Sequence, residues 1–141
     1  MKKLGCILLI DDSDTDNFIH TRRLGKMEVA EEIVVRANGR EGIQYFTTPL
    51  PGGGHPTRPD ILFLDINMPV MDGWEFLEKY RHLPVERRAR LTILMITSSV
   101  GDTDEERVRN LDFVAGHEAT PLTKDKIRAL LDKHFPGTAM A

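Results

Sequence analysis

Short apolar runs alternate along this chain with stretches whose apolar residues recur every three to four positions. The sharpest run is Ile61-Leu62-Phe63-Leu64, preceded by Asp60 and ended by Asp65. A run that short and that apolar predicts a strand buried on both faces. Leu4–Ile10 and Leu91–Ile96 have the same character, while 32–37 and 113–119 predict weaker strands. Helices are predicted between them. The first starts at the capping cluster Ser13-Asp14-Thr15-Asp16 and runs to about Leu24, with Phe18, Ile19 and Leu24 facing the core and Gly25 ending it. Others are expected at about 40–47 (Ile43, Tyr45 and Phe46 apolar), 74–82 (Trp74, Phe76, Leu77 and Tyr80) and 103–111. The last, Lys124–His134, is capped by Thr123 and places Ile127, Leu130 and Leu131 at i, i+3 and i+4. Five strand–helix units predict an α/β fold: a parallel sheet with right-handed crossovers.

Chemistry enters at the strand ends. Asp65 stands at the C-terminal end of its strand, where open parallel sheets place their ligands. Alone it could simply cap a loop. The pair Asp11-Asp12 ends the first strand in the same way. If the two strands are neighbours, three carboxylates converge, and three like charges at close range require a cation. An all-oxygen set with few protein ligands suits Mg2+, completed by water and a substrate phosphate.

Composition narrows the setting. The chain has 141 residues, one domain's worth, and a net charge of −3 with both signs interspersed, which argues against a dedicated nucleic-acid surface. Its single cysteine, Cys6, excludes an internal disulfide and is expected to pack as a small apolar residue. No apolar run is long enough to span a bilayer, and Met1-Lys2-Lys3-Leu4 leads straight into the first strand without a signal peptide, so a cytoplasmic location is expected. Residues 48–59, rich in proline and glycine, predict a mobile loop. Their glycine triplet precedes a strand, where a phosphate cradle would follow one. The basic cluster at 86–90 reads as a solvated loop.

Several spaced features together resemble the receiver domain of bacterial two-component response regulators, of the single-domain, chemotaxis-regulator type. They are Ile10-Asp11-Asp12, then Leu64-Asp65-Ile66-Asn67-Met68-Pro69 with Met71-Asp72-Gly73, then Thr97 after the fourth strand and Pro121 after the fifth. The resemblance covers about 4–135 and implies one receiver domain over 1–141, with 136–141 as a tail too short for an output domain. It implies a flavodoxin-like (βα)5 sheet of strand order 2-1-3-4-5, which makes strands one and three neighbours. By the same resemblance Asp65 is the phosphoacceptor and Thr97 contacts the phosphoryl group. Mg2+ is held by Asp11, Asp12, Asp65 and the backbone carbonyl of Asn67, Asp11 acting mostly through water. The donor is a phosphohistidine on a sensor histidine kinase or histidine phosphotransfer protein. The output is contact with an unknown downstream protein, without nucleic acid or membrane insertion, and the chain is a signalling domain, not an enzyme. The Thr120–Pro121 bond is expected to be cis. Two switch positions depart from the family pattern: Thr120 replaces a lysine, and His117 stands where an aromatic ring is frequent. Lys124 is a conceivable substitute cation. The departures open an alternative, a pseudo-receiver that binds partners without switching by phosphate. A metal-dependent aspartyl phosphatase is disfavoured by Asn67, where such enzymes carry a second acid. Flavin binding is disfavoured by acids where a phosphate loop should be.

Overall fold

The computed structural model describes residues 3–68, 71–96 and 102–139. Among them strands and helices alternate: β1 (Leu4–Ile10), α1 (Asp14–Met27), β2 (Ala30–Arg36), α2 (Gly39–Thr47), β3 (Ile61–Asp65), α3 (Gly73–Tyr80), β4 (Leu91–Ile96), α4 (Asp102–Arg109), β5 (Gly116–Ala119) and α5 (Lys124–His134). All pairings are parallel and the order is β2-β1-β3-β4-β5, the flavodoxin-like sheet the sequence predicts.

Side-chain alternation divides the core. Ile7, Leu9 and Phe63 pack toward α1 and α5, with Leu24, Met27, Ile127, Leu130 and Leu131. Leu8, Ile10, Leu62 and Leu64 face the opposite way, against Phe46, Phe76, Leu77, Tyr80 and Val108. Ile10 is in register with Leu64 and Leu64 with Leu94. One residue on, Asp11 and Asp65 fall on the α1/α5 side, at the end of the apolar rows.

The start of β3 is pinned from both sides. The Asp60 N–H donates to the Cys6 carbonyl at 2.8 Å, Asp60 Oδ2 accepts the Gly5 N–H at 2.6 Å, and Oδ1 lies 3.2 Å from Arg90 Nε. Cys6 is fully buried, its Sγ 3.8 Å from the Tyr45 hydroxyl, and burial pushes its thiol up to about 11. It packs as an apolar residue, as expected.

Several local expectations are corrected. Helix α1 runs through Gly25 to Met27 and closes on Glu28, whose φ of 51° is left-handed. The cost of a mid-helix glycine, about 1 kcal/mol, is outweighed by burying Met27 completely. The inward stripe is Asn17, His20, Leu24 and Met27. Phe18, one residue from that stripe and so about 100° round the helix, is 63% exposed. Strand β5 begins only at Gly116. Phe113 instead packs against the Tyr80 ring, with the Arg88 guanidinium over it at 5.5 Å. The basic cluster at 86–90 is therefore not simply solvated, since Arg88 stacks and Arg90 pairs with Asp60. Part of the 48–59 loop is fastened as well: the Tyr45 hydroxyl donates to the Thr57 carbonyl, and Arg58 donates to the carbonyls of Arg88 and Val85. The glycine triplet precedes β3, whereas Asp11, Asp12 and Asp65 stand at the C-terminal ends of β1 and β3. In the tail, Thr138 is buried, its N–H and hydroxyl both donating to the Phe135 carbonyl. Among the described residues, no helix is long and apolar enough to cross a membrane.

Candidate functional site

The ends of β1 and β3 carry the site. The Asp11 N–H donates to the Arg36 carbonyl at 3.1 Å, which extends the β1–β2 ladder by one residue and leaves the Asp11 side chain at the sheet's C-terminal edge, 7% exposed. Its Oδ1 accepts the Ser13 N–H at 2.9 Å, and its carbonyl accepts Asn17 Nδ2 at 2.9 Å. Ser13 Oγ accepts the Asp16 N–H and caps α1. The turn between Asp11 and the helix is thus fixed by backbone donors as soon as the strand ends.

Asp65 is the last residue of β3 and half-buried. Its Oδ1 accepts the Asn67 N–H at 3.2 Å. The chain is then pressed down by Gly73, whose N–H donates to the Ile66 carbonyl at 2.8 Å. A Cβ at Gly73 would lie 2.6 Å from Ile66 Cα and 2.9 Å from the Asp65 carbonyl oxygen, so this close approach requires glycine. Asp72 Oδ1 accepts the Glu75 N–H at 2.8 Å and caps α3.

Asp11, Asp12 and Asp65 each present a carboxylate oxygen within 4.8 Å of the other two. Burial, first, and the neighbouring Asp11 charge, second, push Asp65 up from 3.8 to about 7. The Asn67 N–H works the other way, Asp12 adds to the rise, and so does a hydrogen bond shared with Asp11. Asp11 is also raised, chiefly by burial, against the pull of the Ser13 N–H. Burial and neighbouring acids thus raise both Asp11 and Asp65 above the ordinary carboxylate range. Among the described residues, the charges acting on Asp65 are both negative. Such a cluster is chemically suited to a small, hard divalent cation with oxygen ligands.

The three acids predicted from the sequence are brought together, and Asn67 lies exposed beside them. Thr97 and Pro69 lie outside the described residues. Thr120 is half-buried at the end of β5, its N–H donating to the Ile96 carbonyl at 3.0 Å. The Thr120–Pro121 bond is cis, as expected. His117 is exposed, in register with Leu94. Lys124 is exposed on a groove between α1 and α5 with Phe18, Arg22 and Lys26, and it is not among the charges shifting Asp65. Reading the sequence missed Asn17, His20 and the packing role of Gly73. Asn17, His20 and Leu24 stand at i, i+3 and i+7, a spacing that could have identified the first two as inward-facing.

Comparison with known proteins agrees with this geometry. The family model described as "Response regulator receiver domain" matches residues 7–130. A two-component response regulator from Cytophaga hutchinsonii superposes with a TM-score of 0.78 at 28% identity, over 94% of this chain and 97% of the other. A response regulator receiver protein from Dyadobacter fermentans gives 0.74 at 25% identity, over 94% and 99%. Among curated sequences, the sensor histidine kinase CheAY of Helicobacter pylori is 33% identical over 101 residues, 72% of this chain. The chain spans only 11% of that protein, and 30% of the similar alkaline phosphatase synthesis transcriptional regulatory protein SphR of Synechococcus elongatus.

Proposed function

Because this chain belongs to the response regulator receiver domain family, we propose that it accepts a phosphoryl group on Asp65 from a phosphohistidine of a sensor histidine kinase or histidine phosphotransfer protein. On this reading it signals by protein contact, as a single cytoplasmic receiver domain over 1–141 that is not an enzyme acting on other substrates. The observation that carries it is the convergence of Asp11, Asp12 and Asp65 within 4.8 Å at the C-terminal edge of the sheet.

Receiver domains bind Mg2+ at an acidic pocket, and the donor set here fits: three converging carboxylates, with Asp65 pushed up to about 7 by burial first and by its acidic neighbours second. Asp11, Asp12, Asp65 and the Asn67 carbonyl would hold the ion. Bound there, Mg2+ supplies the positive charge that lets Asp65 lose its proton and approach an anionic phosphoryl group. A carboxylate oxygen of Asp65 attacks phosphorus in line with the donor imidazole. The O–P bond forms, the P–N bond breaks, and the electron pair leaves with the imidazole, which takes up a proton. The Asn67 N–H and the Gly73 contact hold the attacking carboxylate in place. Thr97 would donate its hydroxyl to a phosphoryl oxygen.

A second reading is favoured by one observation. Position 120 is a threonine, and the charged groups that bear on Asp65 among the described residues are acids. A pseudo-receiver would keep the fold and lose the switch. Acetyl phosphate with Mg2+ separates the two. Labelling of wild type that disappears in Asp65→Asn supports the phosphoacceptor. No labelling at saturating Mg2+, with Trp74 fluorescence used to follow the titration, would leave the pseudo-receiver.

A further inference from the structure

Helix α1 touches both of the loops that flank the acidic site on its side of the sheet. Asn17, nine-tenths buried, donates from Nδ2 to the Asp11 carbonyl at 2.9 Å. One turn on, His20, 2% exposed, accepts the Leu122 N–H at Nε2, 3.0 Å away and 102 residues along the chain. Arg23, on the next turn, donates to the Leu122 carbonyl. A single helix therefore grips both backbone polar groups of one residue in the β5–α5 loop and, at its other end, the carbonyl of Asp11.

Packing alone does not explain these choices. Asn17 Oδ1 is buried without a partner among the described residues. An unmet polar atom is destabilising, and an apolar residue like Leu24 on the same stripe would avoid it. Because its Nε2 accepts the Leu122 N–H, the His20 ring is neutral, and burial chiefly, against the pull of Asp16 and with Arg23, lowers its pKa. A neutral ring accepting at Nε2 carries its hydrogen on Nδ1. Nothing in the β5–α5 loop brings charge to the carboxylates: position 120 is threonine, and Lys126 Nζ is taken up by the carbonyls of Ala119 and Pro121 at 2.8 and 3.2 Å. Among the described residues, α1 reaches Asp11 through Asn17 and reaches that loop through His20 and Arg23, and Asn17 and His20 interrupt an otherwise apolar helix face.

We propose that His20 is a positioning residue through which α1 carries changes at Asp11 to the β5–α5 loop. A shift of the Asp11 carbonyl moves Asn17, the helix follows as a rigid rod, and His20 draws Leu122 with it. The warrant is a contiguous set of hydrogen bonds, and coupling along it is measurable. The part of the test that uses ligand rests on the phosphoacceptor reading; the part that uses substitution does not.

The experiment follows backbone amides of the isotope-labelled full chain by NMR. One perturbation is Asp11→Asn, which needs no ligand. The other is Mg2+ with beryllofluoride. Each is applied to wild type, His20→Ala and His20→Gln. In His20→Ala the response of the Leu122 amide should fall to about half or less, while Ile66 and Asn67 respond as before. His20→Gln, which can accept the same N–H, should recover most of it. A merely structural histidine would lower stability without this selective loss or its rescue. The proposal is overturned if Leu122 in His20→Ala responds as fully as in wild type, or if Asp11→Asn leaves Leu122 unmoved while His20 is present. If His20→Ala does not fold, Asn17→Leu cuts the other end of the link and must silence Leu122 equally; a full response there also overturns the proposal. Should Mg2+ and beryllofluoride move neither Ile66 nor Asn67, the phosphoacceptor reading fails, and the Asp11→Asn comparison alone decides the role of His20.

Discussion

Strand β3 carries one aspartate just before its first residue and another as its last, and the two are in opposite circumstances. Asp60 accepts a backbone N–H from Gly5 at 2.6 Å and sits 3.2 Å from a guanidinium nitrogen of Arg90. Asp65 accepts one long N–H bond and otherwise faces Asp11 and Asp12. Residue type and strand are shared; what differs is whether the charge is answered from within the fold. At the N-terminal edge it is, and the carboxylate staples β3 between β1 and the start of β4. At the C-terminal edge, among the described residues, it is not, and the imbalance is available to a ligand. Perturbed acids at strand ends mark sites of function for this reason.

The contrast can be broken from either end. The largest effect is expected from Gly73→Ala, which forces a methyl group against the Asp65–Ile66 backbone. It should cost about 3 kcal/mol in urea unfolding and displace the Asp65 carboxylate, seen as loss of acetyl phosphate labelling. Asp60→Ala should follow, at about 2 kcal/mol, because the Gly5 N–H loses a charged acceptor. The Arg90 pair adds little, since Arg90 is 57% exposed. Asp65→Asn should act with the opposite sign and stabilise the metal-free protein at pH 7.5 by roughly 1 kcal/mol, a value reduced for the half-exposed position.

That gain carries a pH signature. Folded and metal-free, Asp65 keeps its proton up to about pH 7, whereas its ordinary value is 3.8. Between those values the folded state binds more protons than the unfolded state. The contribution to stability is full below pH 3.8 and is lost as pH rises through 7. The difference between wild type and Asp65→Asn in urea melts with chelator should therefore shift in favour of wild type as pH falls from 7.5 to about 4. With saturating Mg2+ the dependence should reverse. The smallest effect expected is that of Thr120→Lys, a several-fold weaker Mg2+ affinity as the new ammonium competes for the same carboxylates. Unchanged affinity would mean that position 120 does not face the cluster.

Elements with a regular apolar pattern, continuous in a buried strand or spaced every three to four residues in a helix, were legible in the sequence. β1, β4 and α5 have the expected limits, and the three acids could be found because each stands at the end of an apolar run. Helix α1 was misread because its inward face is half polar: Asn17 and His20 occupy places a hydrophobic pattern assigns to Phe18 and Ile19. The start of β5 was misread because Val114 is buried and Phe113 partly buried by side-chain packing ahead of the strand rather than by ladder pairing. Gly73 could be read as closing a turn. Its intolerance of a Cβ depends on where the Ile66 backbone passes, which no local pattern encodes.

The division of helices about the sheet also bears on the order in which the protein can mature. The face of β1 that receives α1 is finished by α5, so Leu24 and Met27 share a core with Ile127 and Leu131. A ribosome releasing this chain exposes that half-covered face throughout the making of β2 to β5. Contacts closing over so long a separation form late and slowly. A chain stopped before Lys124 would show an apolar sheet surface to its surroundings, the condition under which partly made domains aggregate or engage chaperones. The last helix thus acts as the closing member of a structure whose first strand lies near its centre.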